Sequence, residues 1–197
     1  MCTLDRLFTE SNSLADYAGR YASYIADLLD QLDYHAIDRV GHLFEAARLQ
    51  GRTIFIAGNG GSASDAMHLA EELVARFEKN RRALAAMALC DPTVITCAAN
   101  DFGFDTIFSR QVEAFGNPGD ILIVFTTSGN SPNILRALEA AKKQGLLTAA
   151  FLGKDGGKAK GMCDIELIVP AQTSHRIQEG HKLLYHTLCE WVDQRVD

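Results

Sequence analysis

The chain of 197 residues has no excess of positive charge: 19 lysines and arginines stand against 25 aspartates and glutamates, for a formal net charge of −6. That balance leaves no basic footprint for nucleic acid or for an anionic membrane surface. Long apolar runs are also missing. The longest are strand-sized, well short of the ~20 residues that a membrane-spanning helix needs. Met1-Cys2-Thr3-Leu4-Asp5-Arg6 lacks the basic-then-apolar order of a secretion signal. The five cysteines, Cys2, Cys90, Cys97, Cys163 and Cys189, are odd in number and include no close pair of the zinc or redox kind. Reduced thiols in a cytoplasmic protein are the expectation. Linkers, repeats and low-complexity stretches are absent too, which predicts one domain over residues 1–197. What is present is 47% hydrophobic and 22% charged, the composition of a soluble globular protein long enough to bury a core without disulfides or metal staples.

Two periodicities divide the chain. Over residues 10–50 the spacing is helical: Leu14, Tyr17, Ala18, Tyr21, Ile25, Leu28 and Leu32 form one apolar face. After a break near Asp33-Tyr34 the period resumes through Ile37, Val40, Leu43, Phe44 and Ala47, and Gly51 suits a helix C-cap. From Thr53 onward, short continuous apolar runs at 53–57, 85–90, 121–125, 147–152 and 165–169 alternate with helical segments near 63–78, 92–99, 104–115 and 131–144, and a last helix near 174–193. Continuous runs alternating with helices predict a parallel sheet covered on both faces. The expected fold is α/β: a three-layer α/β/α sandwich on a five-stranded parallel sheet. The N-terminal helical extension is expected to pack on that domain or on a neighbouring subunit.

Chemistry concentrates after the first and third apolar runs. Gly58-Asn59-Gly60-Gly61-Ser62 and Thr126-Thr127-Ser128-Gly129-Asn130-Ser131 each join a strand to a helix. Helix N-termini present unpaired N–H groups and a positive dipole end, so each turn is a ready anion site. The second carries four hydroxyl side chains within six residues, which suits the oxygens of a phosphate monoester. A phosphorylated small molecule is the expected ligand.

A second polar set lies on helices. His68 and Glu72 are four apart, about 40° around a helix, and so share a face. Gln178 and His186 on the last helix are eight apart, about 80° around. Their convergence on His68 and Glu72 is a matter of tertiary packing.

The strings Gly58-Asn59-Gly60-Gly61-Ser62, Asp65-Ala66-Met67-His68-Leu69-Ala70-Glu71-Glu72, Asn100-Asp101-Phe102-Gly103-Phe104, Thr127-Ser128-Gly129-Asn130-Ser131, Gly153-Lys154-Asp155-Gly156-Gly157-Lys158 and Arg176-Ile177-Gln178-Glu179 run in order through the chain. Together, from about residue 10 to the C-terminus, they resemble the sugar-isomerase (SIS) domain of the phosphoheptose isomerases. The resemblance implies an aldose–ketose isomerase that interconverts D-sedoheptulose 7-phosphate and D-glycero-D-manno-heptose 7-phosphate through an enediol, the first step of heptose nucleotide synthesis. It places catalysis on Glu72 and His186. Substrate contacts fall on Asn59, Gly60, Ser62, Asp101, Thr126, Thr127, Ser128, Asn130, Ser131 and Gln178. One zinc ion per subunit would sit on His68, Glu72, Gln178 and His186, with no nucleotide cofactor. A cytoplasmic homotetramer follows from the same likeness, with sites completed by neighbouring subunits. Two departures stand out: Thr126 replaces a serine common in the family and keeps its hydroxyl, and His175 stands where some members carry a substrate-contacting aspartate.

Other readings compete residue by residue. Gly58-x-Gly60-x-x-Ala63 also satisfies the dinucleotide fingerprint, with Asp91 as its acid, but a nicotinamide site gives no reason for the second hydroxyl-rich turn. A non-catalytic SIS module that senses sugar phosphates or assembles on a replication initiator would keep both turns without needing Glu72 and His186. An isomerase of another phosphosugar would keep everything. Gly156-Gly157 reads as a surface turn, His181 as a packed or surface histidine, Arg81-Arg82 as a solvated helix end, and Tyr17, Tyr21 and Tyr185 as amphipathic packing residues.

Overall fold

The computed structural model describes residues 7–195; Cys2 and the rest of the first six positions lie outside the described residues. Helix α1 spans Leu14–Leu29, with the Ser13 hydroxyl accepting from the Asp16 amide. Helix α2 spans Tyr34–Gln50; Asp33 caps it by accepting from the His35 and Ala36 amides, and Gly51 closes it at φ 64°. Only glycine takes that left-handed closing position without penalty. The expected apolar face of α1 is continuous in sequence but not in burial. Leu28 and Leu32 are buried, whereas Leu14 is 81% exposed. Leu32 lies beyond the helix, in the turn before α2.

Then follow β1 (Ile54–Gly58), α3 (Gly61–Val74), β2 (Ala86–Ala88), α4 (Pro92–Phe102), α5 (Ser109–Phe115), β3 (Ile121–Thr126), α6 (Pro132–Gln144), β4 (Leu147–Gly153), β5 (Ile165–Val169) and α7 (Ser174–Arg195). The five strands form one parallel sheet in the order β2-β1-β3-β4-β5. The helix expected over 104–115 is split. The Thr106 amide and hydroxyl both donate to the Gly103 carbonyl (3.0 and 2.8 Å), tightening Phe104–Thr106 into a 3-10 turn ahead of α5.

Alternation along the strands sorts the core into two faces. Ile54, Ile56, Ile121, Ile123, Phe125, Phe151, Leu167 and Val169 pack under α2, α3 and α7. Phe55, Ala57, Leu122, Val124, Ala150 and Leu152 pack under α4, α5 and α6. β1, β3 and β4 are buried on both faces, all but Leu147, which is why they read as unbroken apolar runs rather than as alternating ones.

Two expectations fail for reasons of packing. The helix predicted over 63–78 ends at Val74, and Arg81 is not solvated. Its Nη1 donates to the Leu73 carbonyl (2.9 Å) and its Nη2 to that of Glu72 (2.6 Å), filling the open C-terminus of α3 with positive charge. Its Nε donates to Asp193 on α7 (2.5 Å), with both side chains buried. Gly156-Gly157 is no free surface turn either. It is pressed against the Thr126–Ser131 turn, where a β-carbon on Gly129 would collide with the Gly156 carbonyl.

Candidate functional site

The sheet order reverses direction between β1 and β3: one leads outward to β2, the other to β4 and β5. Connections leave such a pair in opposite senses, so a crevice opens beyond the carboxyl ends of the two strands. The two glycine- and hydroxyl-rich turns both lie there. Asn59, Gly61, Ser62, Thr126, Thr127, Ser128, Ser131, Ser174 and Gln178 line a cavity of about 250 Å³ floored by Phe125. α3 begins at Gly61, α6 at Pro132 and α7 at Ser174, so three helix N-termini border one small polar space. Summed dipoles and free amides make it a place for an anion.

Individual side chains in the turns do different jobs. Asn59 and Asn133 exchange two amide hydrogen bonds (2.9 and 2.8 Å), tying the first turn to the start of α6. Thr126 Oγ1 accepts from the Gly129 amide (3.2 Å), and Ser128 Oγ from the Asn130 amide (3.1 Å), so each shapes the second turn from within. Ser131 precedes α6 without capping it by its side chain. Gly60 takes φ 57° and supplies the bend before α3. Gly61 is confined by the Gln178 side chain, where a β-carbon would lie 3.0 Å from the amide oxygen.

The structure gathers Asn59, Ser62, Thr126, Thr127, Ser128, Ser131 and Gln178 on one cavity, and leaves Gly60, Asn130 and Asp101 outside its lining. The Asn130 carboxamide donates to the Ser128 carbonyl (2.8 Å) and accepts from the Lys158 amide (3.1 Å). Asp101, near the end of α4, accepts from Asn100 Nδ2 (2.7 Å) and from the Cys97 thiol. Asp91, the acid of the dinucleotide alternative, is occupied in capping α4 through the Thr93 and Val94 amides.

The helical pairs converge. His68 Nε2 lies 3.0 Å from a Glu72 carboxylate oxygen, the His68 and His186 rings are 5.2 Å apart, and one ligand atom from each of His68, Glu72 and His186 falls within 4.8 Å of the others. Their meeting depends on α7 lying across α3. Arg81 and Asp193 clasp the end of α3 to α7, and the Glu78 and Lys79 amides donate to the other Asp193 oxygen (2.6 and 2.9 Å). Burial alone would raise the Asp193 pKa; those amides and Arg81 outweigh it and hold the carboxyl below its usual range. Farther up α7, buried His181 donates its Nε2 proton to the Leu152 carbonyl (2.9 Å), bolting the helix to β4. Burial pushes that imidazole down to about 4, so it is neutral. His181 is therefore the packed histidine that its sequence context suggests.

His186 Nε2 is buried with no hydrogen-bond partner. Burial, then the electrostatic influence of His68 and Lys182, lowers the His186 pKa, while Glu72 opposes them. A neutral imidazole with a free buried nitrogen beside another imidazole and a carboxylate is a donor set that fits a divalent metal such as zinc. Around it stand groups that the sequence reading overlooked. The Tyr185 hydroxyl lies 3.2 Å from His68 Nδ1 and accepts from Lys182 Nζ (2.7 Å), and Lys182 lies 3.6 Å from Asp65. Burial raises the Asp65 pKa against the pull of Lys182, and burial likewise raises the Tyr185 phenol. The i, i+3 spacing of Lys182 and Tyr185 was a signal for a shared face. Nothing local marks which face meets α3. Ser174 was also overlooked; its hydroxyl lies 3.0 Å from that of Thr127.

A parallel sheet with a polar cavity bordered by three helix N-termini at its switch point and an acid–imidazole cluster beside it suits a small phosphorylated ligand. Residues 20–153 match the SIS domain family. Phosphoheptose isomerase of Fusobacterium nucleatum is 55% identical over 145 residues, 74% of this chain and 75% of that protein. The enzyme of that name from Nitratiruptor sp. is 46% identical over 166 residues, 84% of this chain and 88% of the other. The solved phosphoheptose isomerase from Francisella tularensis superposes with a TM-score of 0.85 at 36% identity, covering 98% of this chain and 100% of its own. The chain belongs to the phosphoheptose isomerase family of SIS-domain proteins.

Proposed function

We propose that this protein interconverts D-sedoheptulose 7-phosphate and D-glycero-D-manno-heptose 7-phosphate, holding the phosphate in the cavity between the β1 and β3 turns. One observation carries the reading. Two of the three helices that border the cavity, α3 and α7, also carry the His68–Glu72–His186 cluster farther along their length. From Ser62 to His68 the helical rise along α3 is about 9 Å. A phosphosugar anchored at one end and reacting near the other suits that separation.

The chemistry needs no redox partner. In the ketose-to-aldose direction Glu72 takes a proton from C1, and the C–H electron pair forms the C1–C2 double bond as the C2 carbonyl oxygen gains a proton. The protonated Glu72 then delivers its proton to C2 of the enediol as the O1 proton leaves and the C1 carbonyl forms. His186, kept neutral, moves protons between the two oxygens. His68, Glu72, Gln178 and His186 would hold one zinc ion per chain, which when bound would polarise the carbonyl and steady negative charge on the enediol oxygens while competing with the C1 proton for the Glu72 carboxylate. Metal analysis of protein purified without chelator checks this, and about one zinc per chain is expected.

The chain is proposed to work as one domain within a cytoplasmic homotetramer, ahead of heptose nucleotide synthesis. Support for assembly comes from the exposed apolar side chains Leu14, Tyr34, Leu49 and Trp191, and from a groove of about 210 Å³ between α2 and α7. Asp101 lies outside the cavity lining, and its proposed contact with the sugar belongs to a site completed by a neighbouring copy. The four described cysteines are unpaired, which suits a reducing compartment. No described helix is long and apolar enough to cross a membrane.

A proton NMR time course with sedoheptulose 7-phosphate in deuterated water tests the reading. New aldose signals with deuterium at the carbon beside the carbonyl are expected. Saturable sugar-phosphate binding without conversion would overturn the isomerase assignment in favour of a sensing or assembly module.

A further inference from the structure

The turn that faces the phosphate cavity is shaped from within by Thr126 and Ser128, and a second loop braces it from behind. Between β4 and the 3-10 turn Gly157–Ala159 the chain doubles back along Thr127–Asn130. Ala159 donates its amide to the Gly129 carbonyl (2.9 Å) and Lys158 donates to Asn130 Oδ1 (3.1 Å). Asn130 Nδ2 in turn donates to the Ser128 carbonyl (2.8 Å). The two backbones touch so closely that side chains are excluded. A β-carbon on Gly157 would collide with the Ser128 carbonyl oxygen and lie 2.8 Å from Asn130 Nδ2, and one on Gly153 would lie 2.6 Å from the Thr127 carbonyl. Gly129 and Gly157 both have positive φ, 62° and 56°.

The brace is itself stiff. Gly156 donates its amide to the Gly153 carbonyl (2.9 Å), Gly157 to Asp155 Oδ1 (3.1 Å), and Lys154 to Val169 on β5 (3.2 Å). Lys154 takes φ 58°, the one non-glycine residue at positive φ among those described. Such strain persists only where surrounding contacts over-determine it.

We infer that the Gly153–Ala159 loop sets the affinity of this site for the phosphate group, with Gly157 and Asn130 as its positioning residues. Neither lines the cavity. Both fix the carbonyl of Ser128 and so the direction of the amides and hydroxyls that face the anion. A cradle rigid before the ligand arrives loses less freedom on binding. The phosphate group is bound alike in ground and transition states and takes no part in the proton transfers, so slackening the brace raises KM and leaves kcat alone.

This inference rests on the phosphate reading of the cavity, and the experiment separates the two. Calorimetry with inorganic phosphate and steady-state kinetics with sedoheptulose 7-phosphate are run on wild type, Gly157→Ala, Asn130→Ala and Gly161→Ala. Gly161 has a similar positive φ of 83° but open space around it, so its variant carries comparable backbone strain without touching the turn. Gly157→Ala and Asn130→Ala are expected to weaken phosphate binding and raise KM by about tenfold, with kcat within about twofold. Gly161→Ala is expected to match wild type. Should Gly157→Ala fail to fold, Asn130→Ala decides, since it removes the two side-chain bonds without adding strain. Wild-type phosphate affinity in folded Gly157→Ala and Asn130→Ala proteins overturns the inference while leaving the cavity reading intact, and so does an equal loss in Gly161→Ala. A wild-type protein that binds no phosphate overturns both.

Discussion

The cavity at the switch point is made of turn backbone and short uncharged side chains, whereas the His68–Glu72–His186 cluster is made of three side chains on two helices. Glycines, amides and hydroxyls shape the first, and the anion affinity proposed for it rests on dipoles and N–H groups that do not titrate. The second depends on titratable groups brought together by packing, and nothing in its own backbone specifies it. The difference teaches where each function is vulnerable. Binding at the cavity responds to local geometry, and chemistry at the cluster responds to how α3 and α7 are joined.

The sharpest way to break the comparison is Glu72→Gln, which keeps the shape of the cluster and removes its base. Turnover is expected to fall about a hundredfold or more, with phosphate affinity unchanged by calorimetry. If turnover persists, the base lies elsewhere and the two regions are not divided by role. Next comes the clasp. Asp193→Ala leaves buried Arg81 without its carboxylate and is expected to cost about 3–5 kcal/mol of unfolding free energy, measured by urea titration. A cost below 1 kcal/mol would mean that α7 is held on α3 by its apolar face alone.

His181 serves both regions, because α7 carries Gln178 to the cavity and His186 to the cluster. Its folded pKa of about 4 lies below the ordinary 6.5, so the folded state keeps it neutral while the unfolded chain takes up a proton. That contribution is complete above pH 6.5 and is lost as pH falls toward 4, by up to about 3 kcal/mol. Urea midpoints for wild type and His181→Gln measured across this window should differ in slope, the variant being flatter. Parallel slopes would show that His181 charges freely within the fold. The smallest expected effect is on the cavity side. Ser128→Ala should weaken substrate binding by about 1–3 kcal/mol with little change in kcat, and an unchanged binding constant would remove Ser128 from the phosphate's surroundings.

Much of this was legible residue by residue. Strand runs at 53–57, 121–125, 147–152 and 165–169 fell within a residue or two of β1, β3, β4 and β5: the first three, buried on both faces, must be apolar almost throughout, and β5, an edge strand, keeps four apolar residues in five. The run at 85–90 shrank to three residues in β2, an edge strand with one neighbour. Both turns announced themselves by glycine and hydroxyl content. Arg81 misled because an arginine pair after a helical segment is usually solvated, and nothing near it in sequence shows that Asp193, 112 positions away, will meet it. Gly156-Gly157 misled in the same way: the positive φ was readable, the contact behind Ser128 was not. Tyr185 reads in sequence as an amphipathic packing residue, and Lys182 is not singled out at all.

By itself the sequence determined the alternation of strand and helix, the parallel sheet, the two glycine- and hydroxyl-rich turns and the pairing of His68 with Glu72. Each is set by period or by conformations open to a few residues at fixed offsets. Only the tertiary structure decided that α7 crosses α3 so that His186 joins that pair, that Asn130 braces the cradle rather than lining it, and that a second loop stands behind Ser128. These are contacts between segments far apart in the chain, chosen by the packing of whole helices and loops, and no local pattern encodes which faces will meet.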